Sequence, residues 1–399
     1  MHDLSDIAAW LQHAPTHHES AVHDTLPDPT FVAEGESVVS FSTNNYLALA
    51  NHPRLVEAAK AGLDRYGVGN CESRLLGGDI AVYRELERRL GELKHKTDSV
   101  LFVTGYMANI GVLSSITKAG MLARLHGYRA KKRHKYAYYS DEYNHISIRE
   151  GIHMSGAERH TFKHGDMDQL ESMLKSAQGT TPIIVSDGVF SMEGTIAPLP
   201  ELTALAEKYD ALLYLDDAHA TGVLGANGGG TSEHYNCYSP NIMQMGTLSK
   251  ALGAIGGFVA VDREVADVIR LTSSAYGFTC PPPPDQAAAL IAALDLLEEE
   301  PQRRQRLWDN QRYFIERMEP LGYEILSKAT PIVPVLIGDA EQCRIHAREL
   351  RAEGIHVDAV QFPAVPVGQA RLRFMMNAGH TREQIDHVVA VMQRLSARV

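Results

Sequence analysis

Between about residues 55 and 261, short apolar runs alternate with segments whose apolar positions recur at helical spacing. Helical periodicity marks Pro53 to Tyr66, Tyr83 to Lys94, Met167 to Ala177 and Leu199 to Tyr209. Between them lie the runs Ser99 to Val103, Ile183 to Val185, Leu212 to Leu215 and Gly257 to Val261. These runs are apolar at successive positions, as in a strand covered on both faces, so the pattern predicts an α/β fold. Its core would be a mostly parallel sheet flanked by helices. Before this region, residues 1 to about 35 are polar and His-rich, with a helix-like start at Ile7, Ala8, Trp10 and Leu11. An extended stretch, Ser37 to Phe41, follows. After Pro281 to Pro284 the texture changes. One long helix is expected from about 285 into the 320s, then strands at Ile332 to Ile337 and Ala370 to Phe374, and helices near 341–353 and 381–397. The expected organisation is an N-terminal segment (1–55), a large domain (56–285) and a smaller α+β C-terminal domain (286–399).

Ligands of parallel α/β sheets bind beyond the carboxyl ends of the strands, so the residues that end each run carry the chemistry. Leu212 to Leu215 runs straight into Asp216-Asp217-Ala218-His219. A carboxylate closing a buried strand is costly unless a cation or several donors meet it. Ile183 to Ser186 followed by Asp187 repeats the arrangement one unit earlier. In Gly246-Thr247-Leu248-Ser249-Lys250-Ala251 a lysine sits among small and apolar residues ahead of a glycine-containing strand. Burial lowers a lysine's pKa, which is what Schiff-base formation requires. A lysine of that kind together with a strand-end acid meets the requirement of pyridoxal phosphate. Gly105-Tyr106-Met107-Ala108-Asn109 opens a helix after a strand, where backbone N–H groups suit a phosphate. Asn144-His145 lies in a similar turn, and an imidazole there can stack on a flat ring. Gly222 to Gly230 lacks the G-x-G-x-x-G order, which removes a nicotinamide dehydrogenase from consideration.

Composition narrows the partners. Of 399 residues, 44% are hydrophobic and 22% charged, as in ordinary globular chains. With 38 Lys and Arg against 49 Asp and Glu, the net charge of −11 argues against nucleic acid as a partner. No apolar run approaches the ~20 residues of a membrane span, and the first residues do not form a signal peptide. Cys71, Cys237, Cys280 and Cys343 are widely spaced with no zinc pattern, so no metal is expected and a cytoplasmic setting is.

Taken together, Asn44 to Leu47, Ser73 to Gly78, Gly105 to Asn109, Asn144-His145, Asp187 to Gly194, Asp216 to His219, Gly246 to Lys250 and Ala370 to Arg373 resemble the α-oxoamine synthase family. Its members are pyridoxal-phosphate-dependent acyltransferases of fold type I, and the likeness covers about residues 40–395. The resemblance implies a decarboxylative Claisen condensation of an amino acid with an acyl thioester, giving an α-aminoketone, CO₂ and CoA. It implies that Lys250 holds the cofactor and later acts as general base. Asp216 would pair with the pyridinium nitrogen, His219 with the phenolic oxygen, and His145 would stack on the ring. Gly105, Tyr106 and Thr247 would bind the phosphate, with Ser191 near the ring and Thr279 reaching the phosphate of a neighbouring subunit. Arg373 would clamp the amino acid's carboxylate beside Asn44. A homodimer with a shared active site is implied, with the acyl group arriving on CoA or on a carrier.

This chain departs from the family pattern in places. Ala48 replaces a common glycine, as it does in the autoinducer synthases, and Tyr83 stands where His is frequent. The stretch from about 119 to 137 is long and contains the basic run Arg129 to Lys135, read either as a solvated loop or as a site for CoA phosphates or a carrier. The competing readings are another fold type I enzyme (an aminotransferase or aldolase-like lyase) and a non-catalytic pyridoxal-phosphate-binding protein. Retention of Lys250 speaks against the last.

Overall fold

The computed structural model describes residues 2–13, 22–26, 28–125, 127–129, 135–177 and 179–396. The chain opens with the helix His2–His13 and a hairpin of β1 (Thr30–Ala33) and β2 (Glu36–Ser40). The hairpin turns through Glu34 and Gly35 at φ 52° and 77°. The apolar runs then build the central sheet. Its strands are β3 (Asp98–Phe102), β4 (Tyr136–Asp141), β5 (Glu158–Phe162), β6 (Thr181–Asp187), β7 (Leu212–Asp216), β8 (Ile242–Thr247) and β9 (Gly257–Val261). Their spatial order is β3-β9-β8-β7-β6-β4-β5. β9 is antiparallel to both of its neighbours, and the four remaining pairings are parallel.

Side-chain alternation divides the inner strands between cores on the sheet's two faces. Val100, Ile183 and Tyr214 pack with the helices Gly105–Leu113 and Ile146–Ser155 on one face. Ile184, Leu213 and Leu215 pack with Met167–Lys175 and Leu199–Lys208 on the other. Three strands carry no strong apolar signature. β4 is built of tyrosines and polar residues, and β5 is an edge strand with mostly exposed side chains. β8 buries Gln244, whose amide donates to the Lys94 carbonyl at 2.9 Å.

The expected long helix is two, Pro284–Glu299 and Gln302–Met318, broken at Glu300-Pro301. Proline has no N–H to donate, and its ring pushes the preceding residue out of helical geometry, as Glu300 shows at φ −121°, ψ 56°. The C-terminal part adds β10 (Glu324–Ile325), β11 (Ile332–Gly338), β12 (Ile355–His356), β13 (Asp358–Val360) and β14 (Ala370–Met375). An antiparallel sheet, β10-β11-β14-β13, is packed by the helices Ala340–Ala352 and Arg382–Ser396. β12 runs parallel to β2. Residues 41–46 are laid along this lobe, because Phe41 accepts from Met375 N at 2.7 Å and Tyr46 from Ala378 N at 2.8 Å. That placement carries Asn44 and Tyr46 to the sheet's carboxyl edge. Lys131, Lys132 and Arg133 of the basic run lie outside the described residues. Among the described residues, no helix is long and apolar enough to cross a membrane.

Candidate active site

Parallel register places Asp187, the last residue of β6, beside Asp216, the last of β7. Both are buried at the sheet's carboxyl edge. Asp216 Oδ2 accepts from the Asn109 amide at 2.7 Å and Oδ1 from Ala218 N at 3.0 Å. Asn109 is oriented in turn, because the Tyr214 hydroxyl donates to its Oδ1 at 2.9 Å and its amide also donates to Ser147 Oγ at 2.9 Å. Burial, reinforced by the Asp216 carboxylate alongside, raises the Asp187 pKa well above the usual carboxylate range.

Lys250 follows β8 by three residues. Its amine makes no hydrogen bond or ion pair among the described residues, and burial pushes its pKa down to about 8 against the pull of Asp216 and Asp187. Arg373 adds to the downward push. His219 is buried, and its Nδ1 lies 2.7 Å from the Tyr46 hydroxyl. Desolvation, followed by the charges of Lys250 and Arg373, takes the His219 pKa well below its ordinary value. His145 caps the helix Ile146–Ser155, accepting at Nδ1 from Ser147 N at 3.3 Å. Its ring stands edge-on to Tyr106, 6.5 Å away, and burial lowers its pKa. The charges of Asp216, Lys250 and Arg373 act on one another and on His145 and His219, so these side chains are neighbours at the sheet's carboxyl edge, where parallel α/β sheets bind ligands in the cleft beyond the strands.

The helix Gly105–Leu113 opens beside this cleft. Thr104 caps it by accepting from Met107 N at 3.1 Å, and among the described residues the N–H groups of Gly105 and Tyr106 have no acceptor. A Cβ on Gly105 would lie 2.9 Å from the Thr247 hydroxyl, so glycine is what lets the helix start press against β8. The Thr247 hydroxyl is 2.9 Å from the exposed hydroxyl of Ser249. Across the cleft, Arg373 on β14 makes long contacts among the described residues, to the Ser191 carbonyl at 3.4 Å, to Asp358 at 3.4 Å and to Met192 Sδ at 3.8 Å. Among the described residues its Nε is buried without a partner, as is Asn44 Oδ1.

The arrangement fits pyridoxal phosphate. It offers an unpaired amine, a strand-end carboxylate, free N–H groups at a helix start for an anion, and orphaned polar atoms where a substrate carboxylate would sit. Among the described residues Thr279 shares no hydrogen bond with these side chains. It is exposed, and its hydroxyl reaches the Cys280 carbonyl at 3.4 Å. Sequence reasoning quoted Tyr46, Asn109 and Ser249 inside motifs without giving them roles. Asn109 was detectable, being an amide in the otherwise apolar helix of residues 105–113, whereas nothing local marks Tyr46.

Residues 36–392 match the family described as aminotransferase class I and II. The chain belongs to that family. It is 37% identical to the 8-amino-7-oxononanoate synthase of Thermoanaerobacter pseudethanolicus over 404 residues, spanning 100% of this chain and 98% of that protein. Identity to 8-amino-7-oxononanoate synthase 1 of Bacillus velezensis is 39% over 372 residues, 93% and 91% of the two chains. A solved structure of serine palmitoyltransferase with PLP superposes with a TM-score of 0.89 at 29% identity, covering 99% of this chain and 96% of that one. Within the family the chain is an α-oxoamine synthase of fold type I, a pyridoxal-phosphate-dependent acyltransferase. Its reaction is the decarboxylative condensation of an amino acid with an acyl thioester.

Proposed function

We propose that this α-oxoamine synthase condenses alanine with a pimeloyl thioester, on CoA or a carrier, the pair used by the curated 8-amino-7-oxononanoate synthases. The observation that carries the chemistry is the Lys250 amine, unpaired and lowered to about 8 beside Asp216. Near neutral pH a usable fraction of it is unprotonated, as both a nucleophile and a general base require. When bound, pyridoxal phosphate supplies a ring that accepts the electrons released at the amino acid's Cα.

The chain's own residues do the rest. Lys250 holds the cofactor and, once released, takes the Cα proton at Nζ. Asp216, aimed by Asn109, keeps the ring nitrogen protonated. His219 donates to the phenolic oxygen, and His145 covers one face. The N–H groups of Gly105 and Tyr106 hold the phosphate with Thr247, and Ser191 borders the ring. Arg373, with its Nε free, clamps the substrate carboxylate beside Asn44.

The active unit in this reading is a homodimer. Phe278 and Leu76 are 87% and 80% exposed, and Leu75 packs on Gly277, so the loop before Gly78 and the turn holding Thr279 form one apolar knuckle. A second copy would cover it and bring Thr279 to the neighbouring phosphate. Four unpaired cysteines support a reducing, cytoplasmic setting.

The test is a grid of amino acids against acyl-CoAs, following thiol release and product mass. Alanine with pimeloyl-CoA is expected to lead the grid, with loss of CO₂. A different leading pair replaces the substrate assignment. A colourless protein that borohydride does not alter overturns the roles given to Lys250 and its neighbours.

A further inference from the structure

We propose that Tyr46 is a positioning residue whose hydroxyl donates to His219 Nδ1, holding that imidazole as the tautomer whose Nε2–H faces the cleft. Geometry alone leaves the direction of this 2.7 Å hydrogen bond open, and burial decides it. Tyr46 is fully buried, and among the described residues His219 Nδ1 is its hydroxyl's partner. If Nδ1–H were the donor, the phenolic O–H would be enclosed without an acceptor, at a cost of about 1–3 kcal/mol. With Tyr46 donating, both groups are satisfied. Both are also neutral, because burial lowers the imidazole's pKa and raises the phenol's, so neither ionised form competes.

The donor is held firmly. Tyr46 N donates to the Asn44 carbonyl at 2.8 Å, its own carbonyl accepts from Ala378 N at 2.8 Å, and the Asn377 amide donates to the Asn45 carbonyl. The segment is therefore fixed to the C-terminal lobe while its ring reaches His219 at the carboxyl edge of β7. A second imidazole follows the same logic. His145 Nδ1 accepts from Ser147 N, and the Ser147 hydroxyl lies 2.7 Å from the same nitrogen while accepting from Asn109. Both histidines thus offer Nε2–H to the cleft.

The functional consequence rests on the reading of His219 given above. A phenolate oxygen needs a donor opposite it, and the other tautomer would set lone pair against lone pair.

The full-length protein with ¹⁵N-labelled histidine tests this by long-range ¹H–¹⁵N correlation, with and without pyridoxal phosphate. His219 is assigned by the signals lost in His219→Asn. We expect His219 with Nε2 protonated and Nδ1 bare in both forms. In Tyr46→Phe the signals should move toward a tautomer average, and the ratio of the cofactor's absorption bands should change. kcat should fall about tenfold, the worth of one hydrogen bond, with KM for the thioester within about twofold. A protonated Nδ1 in the wild type, or an unchanged Nε2–H pattern in Tyr46→Phe, overturns the proposal. If Tyr46→Phe does not fold, the wild-type spectrum alone decides the tautomer. A colourless wild type with Nε2–H would uphold the tautomer and sink the cofactor reading. A coloured one with Nδ1–H would do the reverse.

Discussion

Two lysine–aspartate neighbourhoods meet at the end of β7, and they differ in what is left unsatisfied. Lys94 Nζ lies 2.7 Å from Asp217 Oδ2, with both side chains at 0% exposure. Asp217 also accepts from Thr231 N at 3.0 Å and Thr231 Oγ1 at 2.6 Å. The backbone closes over this pair, since a Cβ on Gly230 would stand 2.5 Å from Lys94 Nζ. One residue earlier, Asp216 is held by Asn109 and Ala218, and Lys250 stays without a partner. A buried amine matched by a carboxylate that other donors also hold ties structure together. A buried amine left without a partner costs stability and is available for reaction.

The largest effect that separates the two is catalytic. Lys250→Ala should lower thiol release about 10⁴-fold, the upper range for a lost general base, while the urea unfolding midpoint stays at or above the wild-type value. Activity within tenfold of wild type would place the chemistry elsewhere and end the contrast. Next comes Lys94→Met, which leaves Asp217 buried and uncompensated. It should cost about 3–5 kcal/mol of unfolding free energy, read from urea titration, with kcat of the folded protein within about threefold. An unchanged unfolding curve would show that the closed pair contributes nothing net.

Legibility in the sequence followed how local each feature is. Strands buried on both faces were readable from unbroken apolar runs, and Asp216 and Lys250 were readable as charges set against such runs. β5 was not, because an edge strand carries polar side chains. The choice between Asp216 and Asp217 came from family likeness alone, since either could end the strand. What separates them is Lys94, 123 residues away, and Asn109, 107 residues away. Tyr46 meets His219 across 173 residues, a pairing set by how the N-terminal segment lies on β14 and not by anything near either residue. Pro301 is the opposite case. The break was visible as a residue, but helical periodicity on both sides masked it.

The smallest effect turns on the sign of a proton linkage. Lys250 titrates at about 8 in the folded chain against 10.5 as its ordinary value. Below pH 8 the amine is charged in both states, and the folded state bears the full cost of burying that charge. Between pH 8 and 10.5 the unfolded chain still binds the proton that the folded chain has released, so folding stability rises with pH in this window. Lys250→Met keeps an unbranched side chain one atom shorter and removes the charge, and with it the cost. The cofactor-free variant should therefore be more stable than cofactor-free wild type at pH 7, by about 3 kcal/mol, and the gap should close by about pH 10.5 as wild type catches up. Urea titrations at pH 7, 8, 9 and 10 measure that gap directly. A gap that stays constant across the series would mean that the Lys250 amine is not held in its lowered state, and the distinction between the two lysines would then rest on contacts alone.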